Sequence, residues 1–379
     1  MEIDQYWMNL ALDLSRKARG RVAPNPAVGA VIVRDGQAVG QGHTEPPGYR
    51  HAEVVALDEA GDRAAGATMY VTLEPCAHHG RTPPCLDAIL KAGLDRVVIA
   101  VRDPNPLVNG RSIAALREHG VEVTLGTGVD EAIQINSGFF RRLLSGRPEV
   151  HVKYAMSLDG KIATHTMNAR WITGQDARTQ AHMIRDQSDA ILVGIGTVLA
   201  DDPLLTTRLP DERAGSNGPS HPLRVIVDSQ ARTPVDAAML QKDVPGTTLI
   251  VVAEIDSAGR VAALQRTGAE VVALPLVNGR VNLGALLDYL GRRGINTLMV
   301  EGGGQIIGSM VDAELIDRVT AFIAPVLLGG EGAPSPIAGS GFELADQGLR
   351  LIAPDLQQVG DDIRVSGYLD GRFPDEGLL

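Results

Sequence analysis

The sequence is poor in cysteine, in aromatic residues and in long apolar runs. Only two of its 379 residues are cysteine and only 3% are aromatic, although 44% are hydrophobic. No apolar run reaches the ~18–20 residues of a membrane-spanning helix. The first residues, MEIDQYWMNL, include acidic side chains and indicate an amphipathic helix, whereas a secretory signal begins with a basic segment. We therefore expect a cytoplasmic protein without membrane contacts.

Basic residues are also scarce relative to acidic ones, 35 against 46, which gives a formal net charge of −11. A protein that binds a nucleic-acid backbone carries a basic surface, and one that binds single strands stacks bases on aromatic rings. Both features are missing, which argues against nucleic acid as a partner, and we expect none. A small phosphorylated molecule needs only a few local arginines or lysines and stays possible as a ligand.

The length predicts two domains, at ~100–200 residues per domain. A glycine- and proline-containing break at residues 144–149 separates a helical pattern from an apolar alternation, and it predicts a boundary between domains 1–146 and 147–379. Strand and helix patterns alternate in both halves, which favours α/β folds with mixed or partly parallel sheets. The stretch 209–222 is rich in Gly, Ser, Asn and Pro and predicts a loop.

The only two cysteines, Cys76 and Cys85, lie downstream of His51 and Glu53, which open a predicted helix. One imidazole and two thiolates suit zinc and leave a fourth position for water, whose pKa the metal lowers. Glu53 is placed to move protons. The alternative is that both thiols serve only packing.

Three segments resemble the deaminase domain of the bifunctional deaminase/reductase family of riboflavin biosynthesis: Thr72–Cys85 (TLEPCAHHGRTPPC), Pro24–Gly29 (PNPAVG) and Asp103–Pro106 (DPNP). The resemblance extends along nearly the whole chain. It implies a cytidine-deaminase-like α/β/α domain that hydrolyses an amine from 2,5-diamino-6-ribosylamino-4(3H)-pyrimidinone 5′-phosphate. It also implies these roles: zinc ligands His51, Cys76 and Cys85, proton carrier Glu53, and pyrimidinone contact Asn25.

Two further residues between the cysteines, His78 and Arg81, are candidate contacts of the deaminase substrate, and solvated loop positions are the alternative. The alternative for Asn25 is a side chain fixed in a Pro-Asn-Pro turn. The sequence departs from the family at His43 and Thr44, where an aromatic residue followed by His is frequent. Eight residues separate the cysteines, against two in the general zinc-deaminase signature.

The second half has no Gly-x-Gly-x-x-Gly after its first strand, so it does not predict a Rossmann fold. Its glycine-rich turn, Glu301–Gln305, instead follows a strand and precedes a predicted helix, Ile306–Val311. Such a turn lets backbone N–H groups approach a pyrophosphate, and a purely structural turn is the alternative. Asp201 and Asp202 can hold sugar hydroxyls or cap a turn.

Segments of this half, Ser157–Lys161, Trp171–Thr173, Thr197–Thr206, Val225–Ser229 and Glu301–Gly303, resemble the same family's reductase domain, which is similar to dihydrofolate reductase. The resemblance implies NADPH-dependent reduction of the ribosyl group to a ribityl chain. The residues that match the family's cofactor site are Ala155, Trp171, Thr197, Asp201, Ser229, Gly303, Gly304, Gln305, Ile306, Ile307, Gly308 and Ser309. Those that match its substrate site are Ala169, Arg185, Leu205, Arg208 and Glu301.

Arg185 and Arg208 suit the 5′-phosphate, because a guanidinium makes bidentate contacts with it. Ser229 and Arg232 are candidates for selecting the 2′-phosphate of NADPH, although a turn after a strand favours Ser anyway. Lys153 is a candidate active-site contact, or else a solvated lysine at a strand end.

Ala169 stands where the family has a substrate-binding serine. Because of this departure we keep one rival hypothesis, an active zinc deaminase joined to a non-catalytic nucleotide-binding domain. Other rivals are a nucleic-acid deaminase and a purely structural two-domain protein. Because most soluble oligomers are symmetric and built from identical chains, we expect a homodimer or homotetramer.

Overall fold

The computed structural model of the protein describes residues 2–80, 83–209, 218–253 and 258–373. These residues form two compact units, of which the first ends at Gly146 and the second is Arg147–Phe373. None of the helices in the described part of the chain is long and apolar enough to span a bilayer.

The first unit contains a five-stranded mixed sheet with helices packed on it. Its helices are α1 (Glu2–Ala18), α2 (Ala52–Ala60), α3 (Cys85–Ala92), α4 (Arg111–Glu118) and α5 (Val129–Ser145). Its strands are β1 (Gly29–Arg34), β2 (Gln37–His43), β3 (Thr68–Val71), β4 (Arg96–Ile99) and β5 (Glu122–Leu125). The strand order is β2-β1-β3-β4-β5, antiparallel around β1 and parallel from β3 to β5.

The predicted hairpin at Asp35-Gly36 is confirmed, because both residues have positive φ, 51° and 72°, as a two-residue hairpin turn requires. Strand β2 then runs directly beneath helix α2. A Cβ atom on Gly42 would lie 2.4 Å from the carbonyl oxygen of Ala52, and one on Gly40 would lie 2.1 Å from that of Ala56. Glycine is therefore needed for this close contact, which sets the position of the start of α2.

The second unit is built on a nine-stranded sheet of order β10-β9-β8-β7-β13-β6-β14-β16-β15. Its main strands are β6 (Glu149–Ser157), β7 (Ala190–Gly194), β8 (Leu223–Val227), β9 (Thr248–Ala253), β10 (Glu270–Leu274), β13 (Thr297–Glu301), β14 (Arg318–Ala324), β15 (Leu351–Val359) and β16 (Asp362–Leu369). A separate hairpin consists of β11 (Leu276–Val277) and β12 (Arg280–Val281). The helices are α6 (Gln175–Asp186), α7 (Ile195–Asp201), α8 (Ala258–Gln265), α9 (Leu283–Arg292) and α10 (Gly304–Asp312).

The first seven strands of this order, from β10 to β14, all run parallel to one another. Strand β16 pairs antiparallel with β14, and β15 pairs antiparallel with β16. The central strands are apolar on both faces, as the run Val225–Val227 illustrates, and hydrophobic clusters cover each face. Because the strands are parallel, the segments that follow β6, β7, β8 and β13 meet at one edge of the sheet. The functional residues of the second half come mostly from these segments.

The sequence pattern does not predict the last two strands, β15 and β16. β15 contains Pro354 and has an irregular register between Ile352 and Asp355. Proline lacks the N–H that a central strand needs, and β15 tolerates it because it lies at the sheet edge. The predicted loop 209–222 lies partly outside the described residues, and Leu209 and residues 218–222 belong to no helix or strand.

Candidate active sites of the two units

A histidine and two cysteines converge in the first unit. The ligand atoms of His51, Cys76 and Cys85 all lie within 4.8 Å of one another. His51 Nδ1 is 3.6 Å from Cys76 Sγ and 3.3 Å from Cys85 Sγ. The cysteines form no disulfide. One nitrogen and two sulfur donors at this spacing fit a zinc ion with an open fourth position.

The local fold explains this convergence. His51 directly precedes α2, and Cys85 is the first residue of α3. The backbone N–H of Cys85 donates to Cys76 Sγ at 3.2 Å. Hydrogen bonds from Cys85 and His51 lower the pKa of the Cys76 thiol, whereas the contact with Cys76 and burial raise the pKa of the Cys85 thiol. One thiol of the pair is therefore held as a thiolate, the form that binds metal ions.

Glu53 lies in the first turn of α2, two residues after His51, and its side chain is buried. Burial raises the pKa of the Glu53 carboxyl to about 7, and the negative charge of Cys76 acts in the same direction. A carboxyl group with a pKa near neutrality both accepts and donates protons efficiently. Its environment therefore suits the predicted role as proton carrier.

The segment that carries Asn25 is held by helix α5. The amide of Asn136 makes two hydrogen bonds with the backbone of Ala27, one with its N–H and one with its C=O, each 2.8 Å long. Arg142 donates to the carbonyl of Pro24, also at 2.8 Å. Sequence reasoning missed Asn136, and its only signal was a polar residue within an otherwise apolar helix face.

A second supporting residue, Glu74, lies two positions before Cys76 and is 2% exposed. It accepts hydrogen bonds from the N–H groups of Asp103 and Gly110 and from the Ser112 hydroxyl. These contacts fix the segment that begins with the predicted DPNP motif. Burial raises the pKa of the Asp103 carboxyl to about 7.

The remaining predicted residues of this unit have different surroundings. His78 Nδ1 is buried and has no hydrogen-bond partner among the described residues. Thr44 is buried, and its hydroxyl accepts a bond from the N–H of Val28 at 3.1 Å, so it supports the start of β1. His43 Nδ1 lies 3.1 Å from the Thr44 carbonyl oxygen. Arg81 lies outside the described residues.

The second unit contains a cleft of about 1810 Å³. Most of the residues predicted to bind cofactor or reductase substrate line it: Ala155, Ala169, Arg185, Thr197, Asp201, Leu205, Ser229, Glu301, Gly303, Gly304, Gln305, Ile306, Ile307 and Ser309. Trp171, Arg208 and Gly308 are not among the lining residues. Trp171 is 70% exposed, and the Arg178 guanidinium lies 4.6 Å from its ring centroid.

Glu301, the last residue of β13, bridges two cations in this cleft. Lys153 Nζ lies 2.8 Å from one carboxylate oxygen and Arg185 Nη2 lies 2.6 Å from the other. Burial alone would raise the pKa of Glu301, but Arg185 and Lys153 outweigh it and hold that pKa well below its ordinary value. Lys153 is only 9% exposed, so its interpretation as a solvated lysine is wrong.

Four glycines of the turn and of α10 are each required by the local structure. Gly302 and Gly303 have φ values of 86° and 77°, which disfavour other residues. A Cβ on Gly304 would lie 2.7 Å from the carbonyl oxygen of Ser335, and one on Gly308 would lie 2.0 Å from that of Ala338. The turn thus both borders the cleft and allows α10 to pack tightly against residues 335–338.

The paired aspartates have separate environments. Asp202 accepts a hydrogen bond from the N–H of Ala238 at 2.8 Å, which favours the turn-capping alternative for that residue, whereas Asp201 lines the cleft. Ser229 accepts a bond from the N–H of Val281 at 3.1 Å, and this bond ties the β11–β12 hairpin to the end of β8.

Two family models match the chain, one within each unit. Residues 1–101 match the zinc-binding region of cytidine and deoxycytidylate deaminases, and residues 148–365 match the RibD C-terminal domain. The riboflavin biosynthesis protein RibD of Aquifex aeolicus is 41% identical over 363 residues, which cover 96% of this chain and 97% of that protein. The chain belongs to the RibD family.

Other RibD proteins support the same conclusion. The Escherichia coli protein is 40% identical over 370 residues, covering 95% of this chain and 98% of its own. The solved structure of Acinetobacter baumannii RibD has a TM-score of 0.86 at 37% identity and covers 97% of this chain and 99% of its own. A Thermotoga maritima structure, described as a diaminohydroxyphosphoribosylaminopyrimidine deaminase/5-amino-6-(5-phosphoribosylamino)uracil reductase, has a TM-score of 0.83 at 31% identity, covering 97% and 99%.

RibD membership confirms the predicted α/β fold class and the predicted bifunctional enzyme of riboflavin biosynthesis. The chain combines a zinc-binding deaminase domain with an NADPH-dependent reductase domain and acts on a small molecule. The rival hypotheses of a nucleic-acid deaminase, of a purely structural protein and of a non-catalytic second domain are accordingly set aside.

Proposed function

We propose that the first unit deaminates 2,5-diamino-6-ribosylamino-4(3H)-pyrimidinone 5′-phosphate, with zinc held by His51, Cys76 and Cys85. The observation that carries this proposal is the convergence of the only two cysteines with His51, within 4.8 Å, next to the buried Glu53. When bound, zinc supplies Lewis acidity that makes hydroxide available near neutral pH. Glu53 accepts the proton of the water that attacks the amine-bearing ring carbon. It then delivers a proton to the departing amine, so that the C–N bond breaks and ammonia leaves.

Asn25 recognises the pyrimidinone edge in this proposal. Its amide offers both donors and an acceptor, and a pyrimidinone edge presents the complementary groups. Asn136 and Arg142 support the assignment because they fix the backbone on both sides of Asn25. We assign His78, whose Nδ1 has no hydrogen-bond partner within the described part of the chain, and Arg81 to the remaining polar groups of the substrate, including its phosphate.

The second unit then reduces the ribosyl group of 5-amino-6-(5-phosphoribosylamino)uracil to a ribityl chain. NADPH, which supplies the hydride for C1′, is assigned to the wall of the cleft made by Thr197, Asp201, Ser229 and residues 303–309, together with Ala155 and Trp171. The backbone N–H groups at the start of α10 suit its pyrophosphate. Gly308 contributes by allowing the close contact of α10 with Ala338.

The reductase substrate is assigned to Ala169, Arg185, Leu205, Arg208 and Glu301. Glu301 stays ionised between Lys153 and Arg185, so it accepts hydrogen bonds from ribose hydroxyls. Arg208 binds the 5′-phosphate. Ala169 lacks the hydroxyl of the family's serine, and the loss of one hydrogen bond, about 0.5–1.5 kcal/mol, weakens substrate binding without removing the reaction.

Metal analysis tests the deaminase assignment. We expect one zinc per chain in the wild-type protein, and loss of both zinc and ammonia release in Cys85→Ala. Oxidation of NADPH with 5-amino-6-(5-phosphoribosylamino)uracil should continue in that variant, because the reductase residues lie in the other unit. Full zinc content in Cys85→Ala would contradict the assigned ligand set.

We also propose a homodimer or homotetramer that works in the cytoplasm. Symmetric assemblies of identical chains predominate among soluble enzymes, and both NADPH and a sugar phosphate are charged metabolites of the cell interior. Light scattering of the eluting protein during gel filtration gives the mass of the assembly, and the mass of a single chain would contradict this proposal.

A further inference from the structure

Residues Leu205–Arg208, which we call the 205–208 segment, contain two of the proposed substrate contacts. Three side chains bind the backbone of this segment at consecutive residues. Arg185 Nη1 donates to the carbonyl of Thr206 at 2.6 Å. The N–H of Thr207 donates to His221 Nδ1 at 3.3 Å, and the N–H of Arg208 donates to His182 Nδ1 at 3.2 Å.

The segment needs these partners because it belongs to no helix or strand. Thr206 and Thr207 are 6% and 3% exposed, so water is a poor substitute for the protein donor to the Thr206 carbonyl and for the protein acceptor of the Thr207 N–H. Leu205 has a φ of 53°, a conformation that leucine keeps only where its surroundings hold it. The two imidazoles and Arg185 thus fix the path of the chain that leads to the exposed side chain of Arg208.

Helix α6 supplies two of the three contacts. His182 and Arg185 are three residues apart, so they lie on one face of the helix. Arg185 also binds Glu301, which joins the 205–208 segment to the cleft. One helix face therefore sets the position of Glu301 and of the Arg208 backbone together.

The hydrogen bonds also define the protonation of the histidines. A backbone N–H is the donor, so each Nδ1 must be the acceptor and each neutral ring carries its proton on Nε2. Burial and the positive charges of Arg185, Arg208 and Lys153 lower the pKa of His182 to about 4. The negative charge of Glu301 opposes this shift but does not cancel it. Burial and Arg224 likewise lower the pKa of His221.

We infer that His182 is a positioning residue of the reductase: it holds the backbone N–H of Arg208 so that the Arg208 guanidinium is aimed at the substrate phosphate, with His221 supporting the preceding residue. This inference rests on the proposed role of Arg208. His182 is not among the residues that line the cleft, and its effect passes through Arg208.

Replacement of the acceptor tests this role. In His182→Leu, we expect the Kd of 5-amino-6-(5-phosphoribosylamino)uracil, measured by titration calorimetry, and its KM to rise about tenfold, because the N–H of Arg208 loses the acceptor that fixes its position. The kcat and the Kd of NADPH should change less than about twofold. His119→Leu, at an exposed histidine of the first unit, is the matched control and should change none of these values.

A second pair of variants keeps the test valid if leucine impairs folding. The oxygen of Asn stands close to the place of Nδ1, whereas that of Gln stands close to Nε2. We therefore expect His182→Asn to bind substrate within about threefold of wild type and His182→Gln to be as weak as His182→Leu. Equal affinity of the Asn and Gln variants would overturn the inference.

Arg208→Gln separates this inference from the proposed function. If it leaves substrate affinity unchanged, the proposed role of Arg208 is wrong. If it weakens binding while His182→Leu does not, only the positioning role is wrong. If both variants weaken binding, the double variant should bind the substrate no more weakly than Arg208→Gln alone. A Kd that rises by the product of the two single effects would show that the residues act independently and would overturn the inference.

Discussion

Replacement of Glu301 by Gln should destabilise the second unit and impair reduction. The carboxylate neutralises Lys153 and Arg185, whose side chains are only 11% and 9% exposed. Gln removes the negative charge and leaves two cations facing each other. Breaking a buried ion pair costs about 3–5 kcal/mol, and because the Glu301 side chain is 20% exposed we expect the lower end, about 3 kcal/mol. For a domain of this size that loss lowers the Tm by about 6–12 °C.

The pH dependence of this difference follows from the direction of the pKa shift. The pKa of Glu301 in the folded protein lies below its ordinary value of 4.5. The carboxylate therefore contributes fully to stability above that value, and its contribution is lost as the pH falls below it. The Tm difference between wild type and Glu301→Gln should be constant from about pH 6 to pH 9 and should shrink below about pH 4.5.

Calorimetric unfolding with parallel assays of NADPH oxidation and ammonia release measures these effects. Glu270→Gln is the matched control, because its ion pair with Arg293 lies at the surface, with side chains 48% and 34% exposed. Surface pairs contribute at most about 1 kcal/mol, so the control should change the Tm little. Equal Tm losses in the two variants, or loss of ammonia release in Glu301→Gln, would refute the reasoning.

Three further predictions concern residues of both units. Glu53→Gln should keep its zinc, as metal analysis measures, and lose ammonia release by ~10²-fold or more, because it removes the proton carrier; normal ammonia release would eliminate Glu53 from the mechanism. Asn136→Leu leaves the N–H of Ala27 without its acceptor, while the C=O of Ala27 keeps only the Ser15 hydroxyl as donor, and this should cost about 1–3 kcal/mol and raise the deaminase KM without affecting zinc content. An unchanged KM would show that the Asn25 segment does not depend on this anchor. Gly308→Ala places a methyl group 2.0 Å from the carbonyl oxygen of Ala338 and should raise the Kd of NADPH about tenfold in a fluorescence titration. An unchanged Kd of NADPH in Gly308→Ala would mean that α10 can shift without disturbing the cofactor site.

Local chemical signals explain what the sequence predicted well. The β1–β2 hairpin followed from Asp35-Gly36, because few residue pairs accept two positive φ values. The convergence of His51, Cys76 and Cys85, the proposed metal ligands, followed from residue type, since only two cysteines exist and both follow a His-x-Glu pattern. The helix after the glycine-rich turn was predicted as Ile306–Val311, and it extends over Gly304–Asp312.

Features that depend on distant partners were not predictable in the same way. Asn136 serves the deaminase segment through Ala27, which is 109 residues away in the sequence. Lys153 resembled a solvated lysine because its partner Glu301 follows 148 residues later. The final hairpin was missed because Pro354 contradicts a strand unless the strand lies at a sheet edge, and strand order is not visible in the sequence.

The central claim is that one chain carries two consecutive reactions at two separate sites. Its most direct test is a single-tube assay of purified, zinc-loaded protein with 2,5-diamino-6-ribosylamino-4(3H)-pyrimidinone 5′-phosphate and NADPH, in which ammonia release and NADPH oxidation are followed together. The account predicts that ammonia appears first and that NADPH is then consumed in an equal molar amount. Ammonia release without NADPH oxidation would contradict it and would indicate that the second unit binds nucleotide without reducing the substrate.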